Sequence, residues 1–221
     1  MAARAACPPP PTRRGRESRQ RILEAARKIF GAKGYHAAAI TDITREADIA
    51  LGAFYRYFPS KKHVFIEILD VQAQMIRQVT VAAMTGATDR LDEEARGLAA
   101  FFALVREQPD IYRIAREAEF VDEDAYRRYY HAFFARYSTR ITTAMRNGEI
   151  RWIDPEALTV SLMGIAHLVG MFWPYWTRKP IPPAVFDGVM DFIRWGMDTR
   201  RPESRNGRTA SRTRQGRRAT R

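Results

Sequence analysis

The chain has 221 residues, enough for a substantial buried core, and is rich in helix-forming and aromatic residues. Its single cysteine, Cys7, excludes an internal disulfide framework and a cysteine-based zinc site, and residues 1–16 have no apolar stretch of the kind a signal peptide needs. The net charge of +12 sits at the ends: residues 1–16 hold four arginines and no acid, and residues 200–221 hold nine arginines against Glu203.

Those ends, 1–16 and 200–221, combine Pro, Gly, Ser, Thr and Arg with little to bury, a composition that predicts disorder. Between them the charge divides. Residues 17–63 carry nine Lys/Arg against five Asp/Glu, and residues 64–199 carry fifteen against nineteen. The basic excess inside the fold therefore belongs to its first quarter, which suits a face set on phosphate.

Residues 19–62 predict three short helices. Ile22, Ala25, Ala26, Ile29 and Phe30 recur at helical spacing opposite Arg19, Arg21, Arg27 and Lys28, and Lys33-Gly34 is a stop signal. Ile40, Ile43 and Ala47 mark a second helix, and after a break at Asp48-Ile49 a third spans Ala50 to Tyr57. Two short helices on a tight turn, the second rich in side chains suited to groove edges, read as a helix-turn-helix. Ile49, Phe54 and Phe58 are needed inside, so Leu51, Gly52, Ala53, Tyr55, Arg56 and Tyr57 are left to face a groove or its walls. Arg56 carries the fork that matches a guanine edge. Lys61, opening the next helix, and Thr41, near the start of the second, are placed for phosphate.

The pattern is helical to the end: His63–Met84, Asp89–Glu107, Pro109–Glu119, Asp122–Asn147, Asp154-Pro155 to about Phe172, where Pro174 should forbid continuation, and Pro183–Thr199. Leu158 to Trp176 holds no Asp, Glu, Lys or Arg, long enough to raise a membrane span. Interior Thr159, Ser161, His167 and Pro174 favour instead a helix buried on both sides, by its own core and by a second subunit. Gly164 and Gly170 would allow close approach there, with Val189, Phe192 and Trp195 as the matching stripe on the last helix.

The run from Ile22 to Lys62, with "IL.AA..IF", "GY", "I.DI...A" and "G.FY.YF.SK", resembles the DNA-binding domain of TetR-family (tetracycline-repressor-like) transcriptional regulators. The resemblance covers about a fifth of the chain. It implies an all-α, nine-helix, two-domain architecture: a helix-turn-helix head over 17–63 and a helical effector-binding and dimerisation domain over 64–199. It further implies a homodimer on a palindrome-like operator, most often as a repressor released by a small molecule; the single cysteine and the lack of a visible signal peptide make a reducing cytoplasm the simplest home. Three positions depart from the family's habit. Ala39 and Ala50 replace the Ser or Thr expected before the second and third helices, and Asp48 replaces the turn glycine. Each missing cap costs about 1 kcal/mol of local stability.

By the same resemblance the aromatic stretch Phe101–Trp176 would enclose an effector pocket, with Phe102, Tyr112, Glu117, Phe120, Tyr130, Phe134, His167 and Trp173 as candidates. The expected ligand is a hydrophobic small molecule, with fatty-acyl character as one choice. Nothing in the spacing of His36, His63, His131 and His167 suggests a metal, and no nucleophile elbow or phosphate loop is present, so an enzyme and a cofactor are not expected. Two rival readings are a sequence-indifferent architectural DNA binder working through the arginine-rich ends, and a membrane-associated protein using Leu158–Trp176.

Overall fold

The computed structural model describes residues 12–199, so the expectations for residues 1–11 and 200–221 lie outside it. The described residues form nine α-helices: α1 (Arg13–Lys33), α2 (Ile40–Glu46), α3 (Leu51–Tyr57), α4 (Lys61–Met84), α5 (Arg90–Glu107), α6 (Asp110–Val121), α7 (Glu123–Arg146), α8 (Pro155–Gly170) and α9 (Pro183–Met197). The all-α class and nine-helix order are as expected. Helix α1 starts earlier than expected, inside the segment read as a tail, because the Thr12 hydroxyl accepts the Gly15 N–H and caps it.

Pro174 does not end the eighth helix. The chain continues from α8 through a π-helical turn, Met171–Tyr175, that takes the proline inside it. The wider turn accommodates a residue without an N–H where a regular α-helix would be broken.

Helices α1, α2 and α3 and the start of α4 close around Ile22, Phe30, Ile43, Phe54, Phe58 and Phe65, all essentially inaccessible. Helices of seven residues are marginal alone, so burial must hold α2 and α3. A buried Phe is worth about 3–5 kcal/mol against alanine. That outweighs the absent caps at Ala39 and Ala50. At α2 the loss is also partly made good, since the Asp42 carboxylate accepts the Ala39 N–H at 3.1 Å.

Asp48 stands at φ 51°, in the left-handed region. Helix α2 closes there as a Schellman turn, with Ile49 N–H donating to the Thr44 carbonyl at 3.0 Å and Asp48 N–H to Arg45 at 3.3 Å. Helix α7 closes the same way through Gly148, at φ 73°. The geometry thus demands at Asp48 what glycine supplies without strain.

Behind the head, α4 packs extensively on α5, and α6, α7 and α8 complete the layer. A second core joins Leu98, Ile141, Met145, Leu162, Ile193 and Met197. Replacing Asp48 by glycine should raise stability by up to about 1 kcal/mol, and replacing it by valine should lower stability by about 1–2 kcal/mol. Thermal unfolding of the two variants beside the parent checks both; coincident midpoints would contradict the strain.

Candidate nucleic-acid interface and sensor cavity

On α3 the side chains divide by burial. Phe54 and Phe58 are sealed in the core, with Tyr57 and Ile49 packed half-buried against it. Leu51 and Tyr55 are 46% and 53% exposed, Gly52 and Arg56 are exposed, and Ala53 is half-buried. A Cβ at Gly52 would meet nothing within 4 Å, so the backbone there is open to close approach. Thr41 is exposed on α2. The structure therefore brings Thr41, Leu51, Gly52, Tyr55 and Arg56 to the surface of the helix-turn-helix, with Ala53 and Tyr57 partly withdrawn.

Lys61 differs from its expected role. Its ammonium donates to the carbonyls of Tyr35 and Ala38, each at 2.7 Å, and lies 4.4 Å from the Tyr35 ring centroid. It is a clamp that ties α4 to the α1–α2 loop. The phosphate-binding potential at this point rests with the α4 amides, whose N-cap Ser60 makes no side-chain capping bond. Ser60 Oγ instead pairs with His63 Nδ1 at 2.8 Å.

The head is joined to the rest chiefly through α6. Arg113 Nη1 donates to the carbonyls of Gly31 and Ala32 at 3.0 and 2.9 Å, satisfying the last turn of α1. Glu117 accepts from Arg113 at 3.2 Å and from the Tyr35 N–H. Asp110 takes Arg27 at 2.8 Å and Gln72 at 3.1 Å, linking α1, α4 and α6. A Cβ on Gly31 would fall 2.8 Å from the Asp110 side chain, and one on Gly34, at φ 82°, would fall 2.6 Å from Glu117. The two glycines are what allow α6 to seat on α1. Lys62 adds a tie to Asp122 at 2.8 Å.

A cavity of about 720 Å³ opens between α4, α5, α6, α7 and α8. Of the expected pocket residues, Tyr112, Tyr130 and His167 line it. The Tyr112 ring stacks on His167 at 5.3 Å and its hydroxyl donates to the His167 carbonyl at 2.7 Å. Burial holds the His167 imidazole below the ordinary histidine range, assisted by Arg116, and pushes the Tyr112 and Tyr130 phenols up. These three lining side chains are therefore uncharged at physiological pH.

The other five candidates lie elsewhere. Phe102 is packed into the second core against Phe186. Glu117 is consumed by the α1–α6 junction, and Phe120 is 78% exposed. Phe134 and Trp173 are half-buried outside the lining. Helical spacing shows that such residues share a face but not which neighbour that face meets.

The far end of the cavity went unread in the sequence. Glu94, nearly inaccessible, pairs with the equally buried Arg90 and accepts from the Tyr137 hydroxyl. Glu93 joins Arg90 at 2.6 Å to Arg140 at 2.8 Å. Burial pushes the Glu94 carboxyl up while Arg90 pulls against it. In the sequence this run, RLDEEAR, looks like an ordinary solvated helix face. Only the neighbouring α7 turns it inward.

Helix α8, the π-turn and α9 leave an apolar face uncovered. Val160, Leu168, Phe172, Trp176, Phe192 and Trp195 are each half exposed or more. Pro155–Tyr175 is, by length and composition, the one stretch among the described residues able to cross a membrane, and 28% of its most apolar 18-residue window is buried. Two expected members of this face turn inward. Gly170 is buried, and a Cβ there would meet the Tyr112 hydroxyl at 2.5 Å; Val189 packs on the second core. Among the described residues no group of three or more His, Cys, Asp or Glu could hold a metal ion.

Residues 22–68 match the family described as bacterial regulatory proteins, tetR family. Over 74 residues, 33% of this chain and 36% of the relative, the sequence is 40% identical to the transcriptional repressor KstR of Mycolicibacterium smegmatis. The chain thus spans about a third of the length of the curated relatives it matches first. The fold is similar to that of GusR from Salmonella enterica, with a TM-score of 0.71, 19% identity, and 81% of this chain and 95% of that one covered. It is also similar to FadR of Bacillus subtilis, solved in complex with stearoyl-CoA, with a TM-score of 0.66, 17% identity, and 79% and 96% covered. The helix-turn-helix signature and the match over residues 22–68 give the chain a head of the tetR-family type, and the fold of the described residues is similar to that of these solved structures.

Proposed function

We propose that the protein is a homodimeric, sequence-specific DNA-binding regulator, acting as a repressor that a lipophilic small molecule releases from its operator. The observation that carries this reading is the division of labour on α3. A sealed Phe54–Phe58 edge fixes the helix, and Leu51, Gly52, Tyr55 and Arg56 remain free on its other side. Arg56 reads a guanine edge. Tyr55, Tyr57, Thr41 and the amides opening α4 meet phosphate, and Lys61 acts by positioning that helix start.

The uncovered face of α8 and α9 pairs two chains, so that two heads reach successive major grooves about 34 Å apart. Large apolar side chains exposed on α8, the π-turn and α9 alike support a second copy as their cover, because a membrane span would leave Phe192 and Trp195 unexplained. The effector enters the cavity. A fatty-acyl ligand suits its size and apolar lining, and the similarly folded FadR of Bacillus subtilis was solved with stearoyl-CoA. The arginine-rich ends then contribute salt-dependent affinity without specificity.

Selection of bound duplexes from a random pool should recover an inverted repeat, and Arg56→Ala should cost about 1–3 kcal/mol and relax one position in each half-site. Equal binding of all duplexes at moderate salt, lost on deleting residues 200–221, would favour the architectural reading instead. Replacing Phe192 and Trp195 together by aspartate should give a folded monomer in sedimentation with greatly weakened operator binding. A dimer that survives this change would place the interface elsewhere.

A further inference from the structure

The cavity is chemically lopsided. One end, at Tyr112, Tyr130 and His167, is aromatic and neutral. The other is the mouth: every exposed lining residue lies on α4 or α7, namely Arg77, Val81, Ala135, Arg136 and Thr139. Packing between these two helices is sparse compared with that of α4 on α5, which leaves the gap. Arg77 and Arg136 make no ion pair among the described residues. Arg140, also lining, is paired with Glu93. The only acid in the lining, Glu94, is buried and matched by Arg90. An apolar chamber thus opens to water with two exposed guanidinium groups in its lining, neither in an ion pair among the described residues.

We infer that the cavity takes a single-chain amphiphile whose anionic head, carboxylate or phosphate, sits between Arg77 and Arg136, and whose tail runs inward to Tyr112 and His167. This rests on the reading of the cavity as the effector site. A guanidinium pair presents planar forks to oxyanions while its stems cover the apolar rim. Burying the tail supplies most of the binding, and the head fixes its direction. A cationic head would find the tyrosines attractive, but it must first pass two like charges at the rim.

Calorimetric titration of the full chain with dodecanoate, dodecyl phosphate, dodecanol and dodecyltrimethylammonium, below their micellar concentrations and at low salt, separates these contributions. The two anions should bind about tenfold or more tighter than the alcohol, with the ammonium weakest. The tighter of the two anions identifies the head. Arg77→Gln with Arg136→Gln should bring the anions down to the alcohol's affinity and leave the alcohol unchanged; the double lysine variant should keep most of the preference. An alcohol or ammonium that matches the anions, or glutamine variants that weaken all probes alike, would overturn the inference while leaving the effector cavity standing. Failure of all four probes to bind would remove both.

Discussion

The structure turns on the seam between α1 and α6. The last carbonyls of α1 would be unsatisfied at a helix end, and the sensor domain supplies the donor for two of them through Arg113. Glu117 then holds the Tyr35 N–H and Asp110 holds Arg27 and Gln72, so a single helix of the sensor grips the head at its end, its side and its loop. These are charge-assisted bonds, and all but the one from Arg113 to the Ala32 carbonyl are part-buried, so they are stronger and less screened than exposed ion pairs. A displacement of α6 must therefore rotate the head or break several such bonds together. On the proposed function, coupling between a filled cavity and DNA follows from that constraint, and by thermodynamic linkage each must weaken the other when the ligand is an inducer. Tyr112 and Ile111, which line the cavity, lie on the same short helix as Asp110, Arg113 and Glu117.

Much of the head was legible in the sequence because its information is local. The spacing of Ile22, Phe30, Ile43, Phe54 and Phe58 placed the core, and the same spacing left Leu51, Gly52, Tyr55 and Arg56 outside. Asp48 was legible as a departure, and it does adopt the left-handed backbone that a glycine would accept more readily. Lys61 was not. A lysine at a helix start looks the same whether its ammonium faces a phosphate or three backbone carbonyls of a loop more than twenty residues earlier.

The sensor was legible as helices and opaque as a site. Proline and glycine positions gave boundaries within a few residues, except at Pro174, where a π-turn absorbs a residue that a regular helix would reject. Cavity lining depends on which faces meet across five helices, so three of eight aromatic or polar candidates reached it. The missed half is polar: Glu94, Tyr137 and Arg140 sit in stretches whose charge density reads as solvent-facing. Burying the Arg90–Glu94 pair adds little net stability, yet removing one partner would strand a charge at a cost of about 3–5 kcal/mol. The network therefore fixes the shape of that end of the cavity more than it strengthens the fold.

In the proposed dimer the α1–α6 seam sets the position of the two heads. The most direct test is the distance between them, measured by double electron–electron resonance on a chain carrying Cys7→Ser and a spin label at an introduced Glu24→Cys, with and without Arg113→Ala. One narrow distribution is expected with Arg113 present and a broad one without it. Distributions of equal width and position would contradict that role of the seam.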